Sequence, residues 1–350
     1  MRLPMKGEGK DAKVDRDLAI PMIHRAFEAG VNYIDSAVMY CNDDSQCAIG
    51  DALKGWRDKI VVSTKNHGQD EATLWKYLED SLERLQVDYI DIYNHHGINL
   101  KNYVENVEPL ASKWMMQARD QGLIRHICTS VHDNNEFLIK LIDSGYPEVI
   151  TLQYNLLDRQ LEEGIARAHE KGIGVVVMGP VAGGRLGATS EVLESLVPGI
   201  KRVPELALRF VLANPNVSVA LSGMSTMQHV EENLATASDE STLSESDRAA
   251  IQEHAERLGE MAKLYCTGCG YCMPCEAASV NIPGVLGAYA MGKVYGLWDH
   301  AREAYAGIQK GAEDRNQTAE ACVECGKCEE KCPQKIEIRE QLKQAHAKLG

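Results

Sequence analysis

Stretches with apolar residues at helical spacing alternate with short, nearly unbroken apolar runs between residue 15 and about residue 238. Asp15 is placed to cap a first helix, whose apolar stripe includes Ala19, Ile23 and Phe27, and Gly30 is placed to end it. A strand is predicted next, at residues 31–34. The same alternation predicts further strands at residues 60–63, 89–93, 126–129, 149–152, 174–177 and 217–221. It predicts helices near residues 44–54, 71–86, 103–121, 133–144, 160–171 and 202–213.

This repeated strand–helix unit is typical of an α/β protein with a parallel sheet. Unbroken apolar runs such as residues 175–177 suit strands that are buried on both faces. The number of predicted strands approaches the eight of a (β/α)8 TIM barrel. The first strand of such a barrel would have to lie in the opening residues, where Met1 to Pro4 leave too little chain for it. We therefore expect a TIM barrel whose first strand is short or missing.

A polar stretch at residues 237–242 predicts a linker after the barrel. On this basis residues 1–238 form the barrel and residues 239–350 form a second domain. A helix is expected from Ser244 to about Lys263, directly ahead of a cysteine-rich region. Apolar residues also recur at helical spacing between residues 284 and 305, so the second domain is predicted to be small and helical.

Composition and charge exclude several classes of partner. With 350 residues, 44% of them hydrophobic, the chain can bury the core that two domains need. A formal net charge of −14 argues against binding to nucleic acid or to an anionic membrane surface, because both require exposed cations. From the charged residues near Met1 and the lack of a run of 18 apolar residues, we expect neither a signal peptide nor a membrane-spanning helix. We therefore expect a cytoplasmic protein.

The cysteines are the most specific chemical signal in the sequence. Three of the 11, Cys41, Cys47 and Cys128, belong to the barrel region, and the others form two groups near the C-terminus. The first group has two residues in each gap. The second group has the spacing C-x2-C-x2-C-x3-C followed by Pro333, which is typical of ferredoxins with 4Fe-4S clusters. The two groups are Cys266, Cys269, Cys272 and Cys275, and Cys322, Cys325, Cys328 and Cys332.

This spacing predicts two [4Fe-4S] clusters with exchanged fourth ligands, because three closely spaced thiolates wrap one cube while the fourth reaches its neighbour. We assign one cluster to Cys266, Cys269, Cys272 and Cys332, and the other to Cys322, Cys325, Cys328 and Cys275. The alternative is a pair of zinc sites, since four thiolates also satisfy tetrahedral zinc. Clusters would exchange single electrons, so a redox partner protein is part of this prediction.

Polar residues follow the predicted strands, and in a TIM barrel the carboxyl ends of the strands hold the active site. The candidates are Asp35, Tyr40, Lys65, His96, Ser130, Gln153, Met178 and Gly179. A tyrosine beside a lysine is a candidate general acid, because a nearby ammonium stabilises the phenolate. A histidine on the same rim can orient a carbonyl oxygen. His95 and His132 are either further substrate contacts or ordinary polar residues of the rim.

From about Met1 to Ser238 the chain resembles the aldo-keto reductase family. The resemblance rests on residues 29–37 (AGVNYIDSA) with Tyr40, on residues 63–65 (STK), on residues 85–91 (LQVDYID) with His96, on residues 152–155 (LQYN), and on residues 223–225 (GMS) with 231–233 (EEN). It implies that Asp35, Tyr40, Lys65 and His96 form a catalytic tetrad. In such a tetrad the tyrosine gives a proton to the substrate carbonyl, the lysine and aspartate tune it, and the histidine orients the substrate.

The resemblance also implies a nicotinamide cofactor, NADP(H) or NAD(H), lying across the strand ends. Ser130 and Gln153 would contact its carboxamide, and Met178 and Gly179 its ring. Gly223, His229, Glu232 and Asn233 would lie at the adenosine end. Gly223, Met224 and His229 stand where a cation for the 2′-phosphate of NADP is usual, so the choice of nucleotide stays open. Within the family the chain looks closest to members with a C-terminal ferredoxin domain.

The leading hypothesis is an oxidoreductase that interconverts a small-molecule carbonyl and its alcohol and carries two clusters for electron transfer. Hydride transfer moves two electrons while each cluster passes one. Either nicotinamide chemistry on the barrel is independent of the clusters, or the clusters pass electrons straight to a substrate in the barrel without nicotinamide. The alternative is an electron-transfer or regulatory iron–sulfur protein whose barrel no longer uses nicotinamide.

Overall fold

The computed structural model describes residues 2–68, 70–239, 243–253, 266, 270, 272–308, 317–332 and 336–350. The chain divides into two compact units. The first combines Met1–Ala182 with Leu208–Thr242, and the second combines Gly183–Ala207 with Leu243–Gly350. The segment Gly183–Ala207 thus belongs to the second unit, whereas the sequence interpretation placed it in the barrel. The domain boundary at residue 238 stays a prediction.

The first unit is built on a parallel sheet whose strands follow one another in chain order. Each strand pairs with the next in parallel. Its strands are β3 (Tyr33–Asp35), β4 (Val61–Asn66), β5 (Ile90–Ile98), β6 (Ile124–Val131), β7 (Val149–Gln153), β8 (Gly174–Met178) and β9 (Val219–Ala220). The sheet forms a nearly closed barrel, which confirms the predicted fold class and all of the predicted strands.

No strand described before β3 joins this sheet. The opening residues instead form an antiparallel hairpin of β1 (Met5–Lys6) and β2 (Lys13–Val14), in which Met5 pairs with Val14. The barrel strand expected to be short or missing is therefore not seen within the described residues.

Helices connect the strands, as the sequence predicted. Between residues 16 and 238 the helices are α1 (Arg16–Glu28), α2 (Ser45–Ala52), α3 (Glu71–Leu85), α4 (Leu100–Asn102), α5 (Ser112–Asp120), α6 (Asn135–Asp143), α7 (Glu162–Glu170), α8 (Glu191–Glu194), α9 (Val203–Leu212) and α10 (Met227–Ser238). Of these, α8 and the first part of α9 belong to the second unit. The single helix predicted near residues 103–121 is divided, because Tyr103–Ala111 is π-helical. Pro109 lies inside that segment and lacks the N–H that a regular helical turn requires.

Helix α1 shows how the local sequence sets an element. The Asp15 side chain accepts a hydrogen bond from the Asp17 backbone N–H, which caps the first turn as predicted. Ala19, Ile23 and Phe27 are buried along one face. Gly30 then adopts a φ of 99°, a conformation that costs glycine little, and the chain turns into β3.

The second unit is helical in its described part. Residues 245–253 form the described portion of α11, the helix predicted from residue 244, and its predicted continuation to residue 263 lies outside the described residues. The remaining helices are α12 (Ile282–Tyr295), α13 (Trp298–Ile308), α14 (Lys327–Glu330) and α15 (Ile338–Leu349). Helices α12 and α13 confirm the predicted helical connection between the cysteine groups.

Close packing between α12 and α13 depends on one glycine. A Cβ atom at Gly292 would lie 2.2 Å from the Trp298 ring, so no larger residue fits there. The core around these helices includes Val285, Tyr289 and Leu342. Within the parts of the chain that the structure describes, no helix is both long and apolar enough to cross a membrane.

Candidate functional site

The predicted rim residues stand above a second layer of polar side chains on the same strands. In a strand, residues two apart point to the same side of the sheet. Four strands carry such a pair: Ser63 and Lys65, Asn94 and His96, Cys128 and Ser130, and Thr151 and Gln153. We call Ser63, Asn94, Cys128 and Thr151 the lower polar layer. All four are buried.

Lys65 and Asp35 form an ion pair at the rim. The Lys65 ammonium contacts Asp35 Oδ2 and donates a 2.7 Å hydrogen bond to the Ser36 carbonyl oxygen. Lys65 is only 2% exposed, so its charge requires these partners. Because β3 and β4 pair with Asp35 opposite Ser63, the two strand ends bring the carboxylate and the ammonium together.

Tyr40 lies in the loop after β3, with its ring over this pair. The Lys65 Nζ atom is 5.1 Å from the centre of the Tyr40 ring. The His96 ring meets the Tyr40 ring edge to face, with 6.0 Å between ring centres and an angle of 82°. Asp35, Tyr40, Lys65 and His96 are therefore brought together. This arrangement places a phenol, an ammonium and an imidazole around one space, as proton transfer to an oxygen requires.

His96 has a neighbour that the sequence did not point to. Its Nδ1 atom lies 2.8 Å from Nε2 of His67, and the two ring centres are 4.2 Å apart. Burial, helped by His67, Lys65 and His132, lowers the pKa of His96 to about 3. Burial and Lys65 also lower the pKa of His67. Both rings are therefore uncharged at neutral pH.

The turn after β4 holds His67 in place. Asn66 donates hydrogen bonds from Nδ2 to the Leu74 carbonyl and to the Tyr93 hydroxyl, at 2.9 and 2.7 Å. Its Oδ1 accepts one from the Gly68 N–H at 2.6 Å. A Cβ atom at Gly68 would lie 2.5 Å from the backbone of Leu74, so the turn packs directly on α3.

The lower polar layer connects to the ion pair through a row of hydrogen bonds. Thr151 donates to Asn94 Oδ1 at 3.1 Å, Asn94 Nδ2 donates to Ser63 Oγ at 3.1 Å, and Ser63 donates to Asp35 Oδ1 at 2.9 Å. Cys128 Sγ lies 3.4 Å from Thr151 Oγ1, and burial raises the pKa of this thiol to about 12. This row was not predicted. A signal was available, because each member stands two positions before a predicted rim residue.

Among the residues expected near the nicotinamide, Ser130 has a side-chain hydroxyl that makes no hydrogen bond within the described chain. Ser130 is fully buried at the end of β6. A buried hydroxyl without a partner at a strand end fits an amide supplied by a ligand. Gln153 packs beside Gly179, whose carbonyl oxygen accepts a 3.1 Å hydrogen bond from Asn155. Met178 ends β8, next to Gly179.

The residues expected at the adenosine end lie around the start of α10. Asn233 Nδ2 donates to Ser222 Oγ at 2.9 Å, and Glu232 accepts from Gln228 at 2.9 Å. His229 is exposed, and its Nδ1 accepts from the Ser225 N–H at 3.3 Å. The aliphatic part of the Arg2 side chain packs on Gly223, 3.1 Å from where a Cβ atom would be.

His95 does not belong to this rim. It is 3% exposed, and its Nε2 atom lies 2.7 Å from the Tyr146 hydroxyl. As the neighbour of His96 on β5, it points to the opposite side of the strand. It is therefore a buried polar residue rather than a further substrate contact.

Five of the described cysteines of the second unit line one cavity. Cys272, Cys275, Cys322, Cys325 and Cys328 all contribute to its wall. Cys272 and Cys275 of the first group thus both lie with three cysteines of the second group, and the exchanged pairing stays a prediction. A pocket walled by thiols fits a cluster that is held by thiolates. Cys266 and Cys332 pack on the same core, and Cys269 lies outside the described residues.

An arginine supports the loop that carries Cys325 and Cys328. Arg339 bonds the Glu329 carboxylate through Nε and a terminal nitrogen, at 2.9 and 2.7 Å, and its own backbone N–H donates to the same carboxylate at 2.8 Å. Its guanidinium lies 3.7 Å from where a Cβ atom of Gly326 would be. Arg339 also lines the cavity.

Two family models match the chain, one for each part. A model described as the aldo/keto reductase family matches residues 5–256. A model described as a 4Fe-4S dicluster domain matches residues 262–336. These matches confirm the family resemblance and the cluster-binding class of the C-terminal region.

Known proteins are similar to the chain along the barrel. The L-galactose dehydrogenase of Arabidopsis thaliana is 29% identical, over 70% of this chain and 87% of that protein. The NADH-specific methylglyoxal reductase of Escherichia coli strain K12 is 27% identical, over 72% of this chain and 92% of that protein. A solved structure of an aldo-keto reductase from Bacillus halodurans in its holo form has a TM-score of 0.60 and 28% identity, covering 68% of this chain and 87% of its own.

Proposed function

This chain belongs to the aldo/keto reductase family, and from that premise we infer that its barrel interconverts a small-molecule carbonyl and the corresponding alcohol. Tyr40 holds the proton that the substrate oxygen receives, or takes it back in oxidation. The observation that carries the proposal is the assembly of Tyr40, Lys65, Asp35 and His96 at the carboxyl ends of β3, β4 and β5.

Each member of the assembly has a separate task. The Lys65 ammonium, 5.1 Å from the centre of the Tyr40 ring, supplies positive charge beside the oxygen that gives up the proton. Asp35 pairs with that ammonium in a buried place, and Ser63 holds the carboxylate from its other side. His96 is uncharged at neutral pH, so it orients the substrate oxygen by a hydrogen bond rather than by charge.

The chain offers a place for NAD(H) or NADP(H), which when bound supplies or accepts the hydride. Ser130 and Gln153 would hold the carboxamide, and the open hydroxyl of Ser130 supports this. Met178 and Gly179 would lie against the ring. Gly223, His229, Glu232 and Asn233 would contact the adenosine end. The name of one relative specifies NADH, whereas the name of the other specifies a sugar and no nucleotide. Binding of both NAD(H) and NADP(H) should therefore be measured.

The eight cysteines would hold two [4Fe-4S] clusters, which when bound exchange single electrons with a redox partner protein. The thiol-walled cavity supports a cluster on Cys322, Cys325 and Cys328 with one thiolate from the first group, which we assign to Cys275. Cys266, Cys269, Cys272 and Cys332 would hold the other. The chain itself contributes the thiolates and the Arg339–Glu329 support of one cluster loop.

The test compares Tyr40→Phe with Tyr146→Phe on anaerobically purified full-length protein. Each change removes one hydroxyl, but that of Tyr146 bonds buried His95 away from the rim. Methylglyoxal with NADH or NADPH and L-galactose with either oxidised nucleotide are the probes. We expect Tyr40→Phe to lower kcat by about a hundredfold or more, with nucleotide affinity unchanged, and Tyr146→Phe to keep turnover.

Full turnover in Tyr40→Phe would contradict the assigned proton donor. If neither nucleotide binds while dithionite reduces the clusters, the barrel does not use nicotinamide. The protein would then be an electron-transfer or regulatory iron–sulfur protein.

A further inference from the structure

We propose that His67 is a positioning residue that fixes the tautomer of His96, so that the Nε2–H of His96 faces the substrate oxygen. The proposal rests on the proposed function, because His96 has an oxygen to orient only if the barrel binds a carbonyl compound. His67 lies outside the predicted catalytic tetrad, and its proposed task is to fix the His96 tautomer.

The contact between the two rings couples their tautomers. His96 Nδ1 and His67 Nε2 are 2.8 Å apart, within hydrogen-bond distance. Of two uncharged imidazoles in such a contact, one nitrogen carries a hydrogen and the other accepts it. The tautomers of the two rings are therefore coupled.

Carbonyl reduction selects one of the two coupled states. A carbonyl oxygen accepts hydrogen bonds, so the histidine that orients it must present an N–H. If His67 Nε2 carries the hydrogen and donates it to His96 Nδ1, the single hydrogen of His96 lies on Nε2, the nitrogen on the other side of the ring. In the opposite state His96 would offer a bare nitrogen, which repels a carbonyl oxygen.

The surroundings hold His67 for this role. Its turn is fixed by the three hydrogen bonds of Asn66 and by the contact of Gly68 with α3. The Tyr77 ring packs edge-on against the His67 ring, with 6.3 Å between their centres. Lys65, two residues before His67 and near the end of β4, lies beside the Tyr40 ring. One strand end thus carries both the group that tunes Tyr40 and the group that aligns His96.

The experiment measures the tautomer directly. Full-length, cluster-loaded protein labelled with ¹⁵N-histidine is examined by long-range ¹H–¹⁵N correlation at neutral pH. We expect His96 to be protonated on Nε2 alone and His67 to be protonated on Nε2. A wild-type His96 protonated on Nδ1 would overturn the proposal without any variant.

Two substitutions separate positioning from packing. His67→Phe keeps a ring but removes both nitrogens, and His67→Gln keeps an amide N–H near the place of Nε2. We expect His67→Phe to give a mixture of His96 tautomers and to lower kcat with methylglyoxal by about tenfold to a hundredfold. We expect His67→Gln to restore both the tautomer and most of the turnover. Nucleotide affinity should stay unchanged in both.

The control is His169→Gln, an exposed histidine on α7. It should change neither the His96 signals nor kcat. A His67→Phe protein with the wild-type tautomer would overturn the proposal even if its turnover fell. If the wild-type protein reduces no carbonyl at all, the proposed function fails, but the tautomer measurement still decides whether His67 controls His96.

Discussion

Two adjacent histidines on β5 have opposite surroundings. His96 faces the rim, while His95 is buried against Tyr146 on the other side of the strand. Burial alone lowers the pKa of His95 to about 4. In the unfolded chain the same side chain would have a pKa of about 6.5. Between about pH 4 and pH 6.5, His95 is therefore uncharged in the folded protein and protonated in the unfolded chain.

This difference predicts how stability depends on pH. Below pH 6.5 the unfolded state binds one more proton than the folded state, so stability is lost as the pH falls. The contribution of His95 is present at pH 7 and declines by up to about 1.4 kcal/mol per pH unit towards pH 4. Denaturant unfolding followed by tryptophan fluorescence at pH 7, 6 and 5 measures it.

His95→Gln should flatten this dependence, because its side chain does not titrate. His169→Gln, at an exposed site, should keep the wild-type slope. Only the change with pH is compared, since His95→Gln also alters the bond to Tyr146. Equal slopes in all three proteins would show that folding does not change the pKa of His95.

The sequence predicted the rim residues but not their neighbours, for a physical reason. Asp35, Lys65 and His96 follow apolar runs, and the ends of parallel strands meet at one edge. His67 contacts His96 only because β4 and β5 pair with a particular register, Asn66 opposite His95. Register between strands far apart in sequence depends on the whole sheet and cannot be obtained from one segment.

The loop that carries Tyr40 has an uncommon backbone. Cys41, Asn42 and Asp43 have φ angles of 55°, 53° and 62°, three successive non-glycine residues in the left-handed region. Each such residue costs about 1 kcal/mol or more, although asparagine and aspartate tolerate it best. Contacts from the N-terminal hairpin offset this cost. Asn42 Nδ2 donates to the carbonyl oxygens of Gly9 and Ala12, both at 3.0 Å.

Asp44 fastens the same loop to α1 and β2. It accepts a 2.8 Å hydrogen bond from the Val14 N–H and is bonded by both terminal nitrogens of Arg16. Burial would raise the pKa of Asp44, but the bonds from Arg16 and Val14 outweigh it and lower that pKa. The carboxylate thus stays ionised and paired at neutral pH.

Asp44→Asn should loosen the loop that positions Tyr40. The amide cannot accept all of these bonds, so we expect the free energy of unfolding to fall by about 2 kcal/mol. Turnover should fall as well, while nucleotide affinity changes little. Urea unfolding and steady-state kinetics measure the two effects. Asp43→Asn makes the same chemical change at the neighbouring exposed position and should alter neither. Equal loss in both variants would contradict the role given to Asp44.

At the scale of the molecule, local patterns predicted the order of the elements better than their grouping. Every barrel strand was predicted, because burial on both faces leaves an apolar run in the sequence. The membership of Gly183–Ala207 in the second unit was not predicted. Ser190 Oγ, for example, donates a 2.7 Å hydrogen bond to the Tyr295 carbonyl across 105 residues of sequence. No periodic pattern reports a contact of that range.

The predicted exchange of ligands between the two cysteine groups can be tested on the whole molecule. Anaerobic full-length protein should contain about eight irons and eight sulfides. Zinc with little sulfide would contradict the clusters outright. Removing one ligand from each cluster should abolish both, whereas removing two ligands of one cluster should spare the other.

The iron content of double cysteine variants tests whether the two clusters exchange their fourth ligands. We assign Cys275 and Cys322 to the same cluster, so Cys275→Ser with Cys322→Ser should keep about four irons. Cys332→Ser with Cys322→Ser should keep almost none, because those two residues serve different clusters. If each group instead held its own cluster, the two outcomes would be reversed. Cys47→Ser, in the barrel, is the control and should keep the full content. Because both double variants remove two thiols, a general loss of stability would affect them equally, and only ligand exchange separates them.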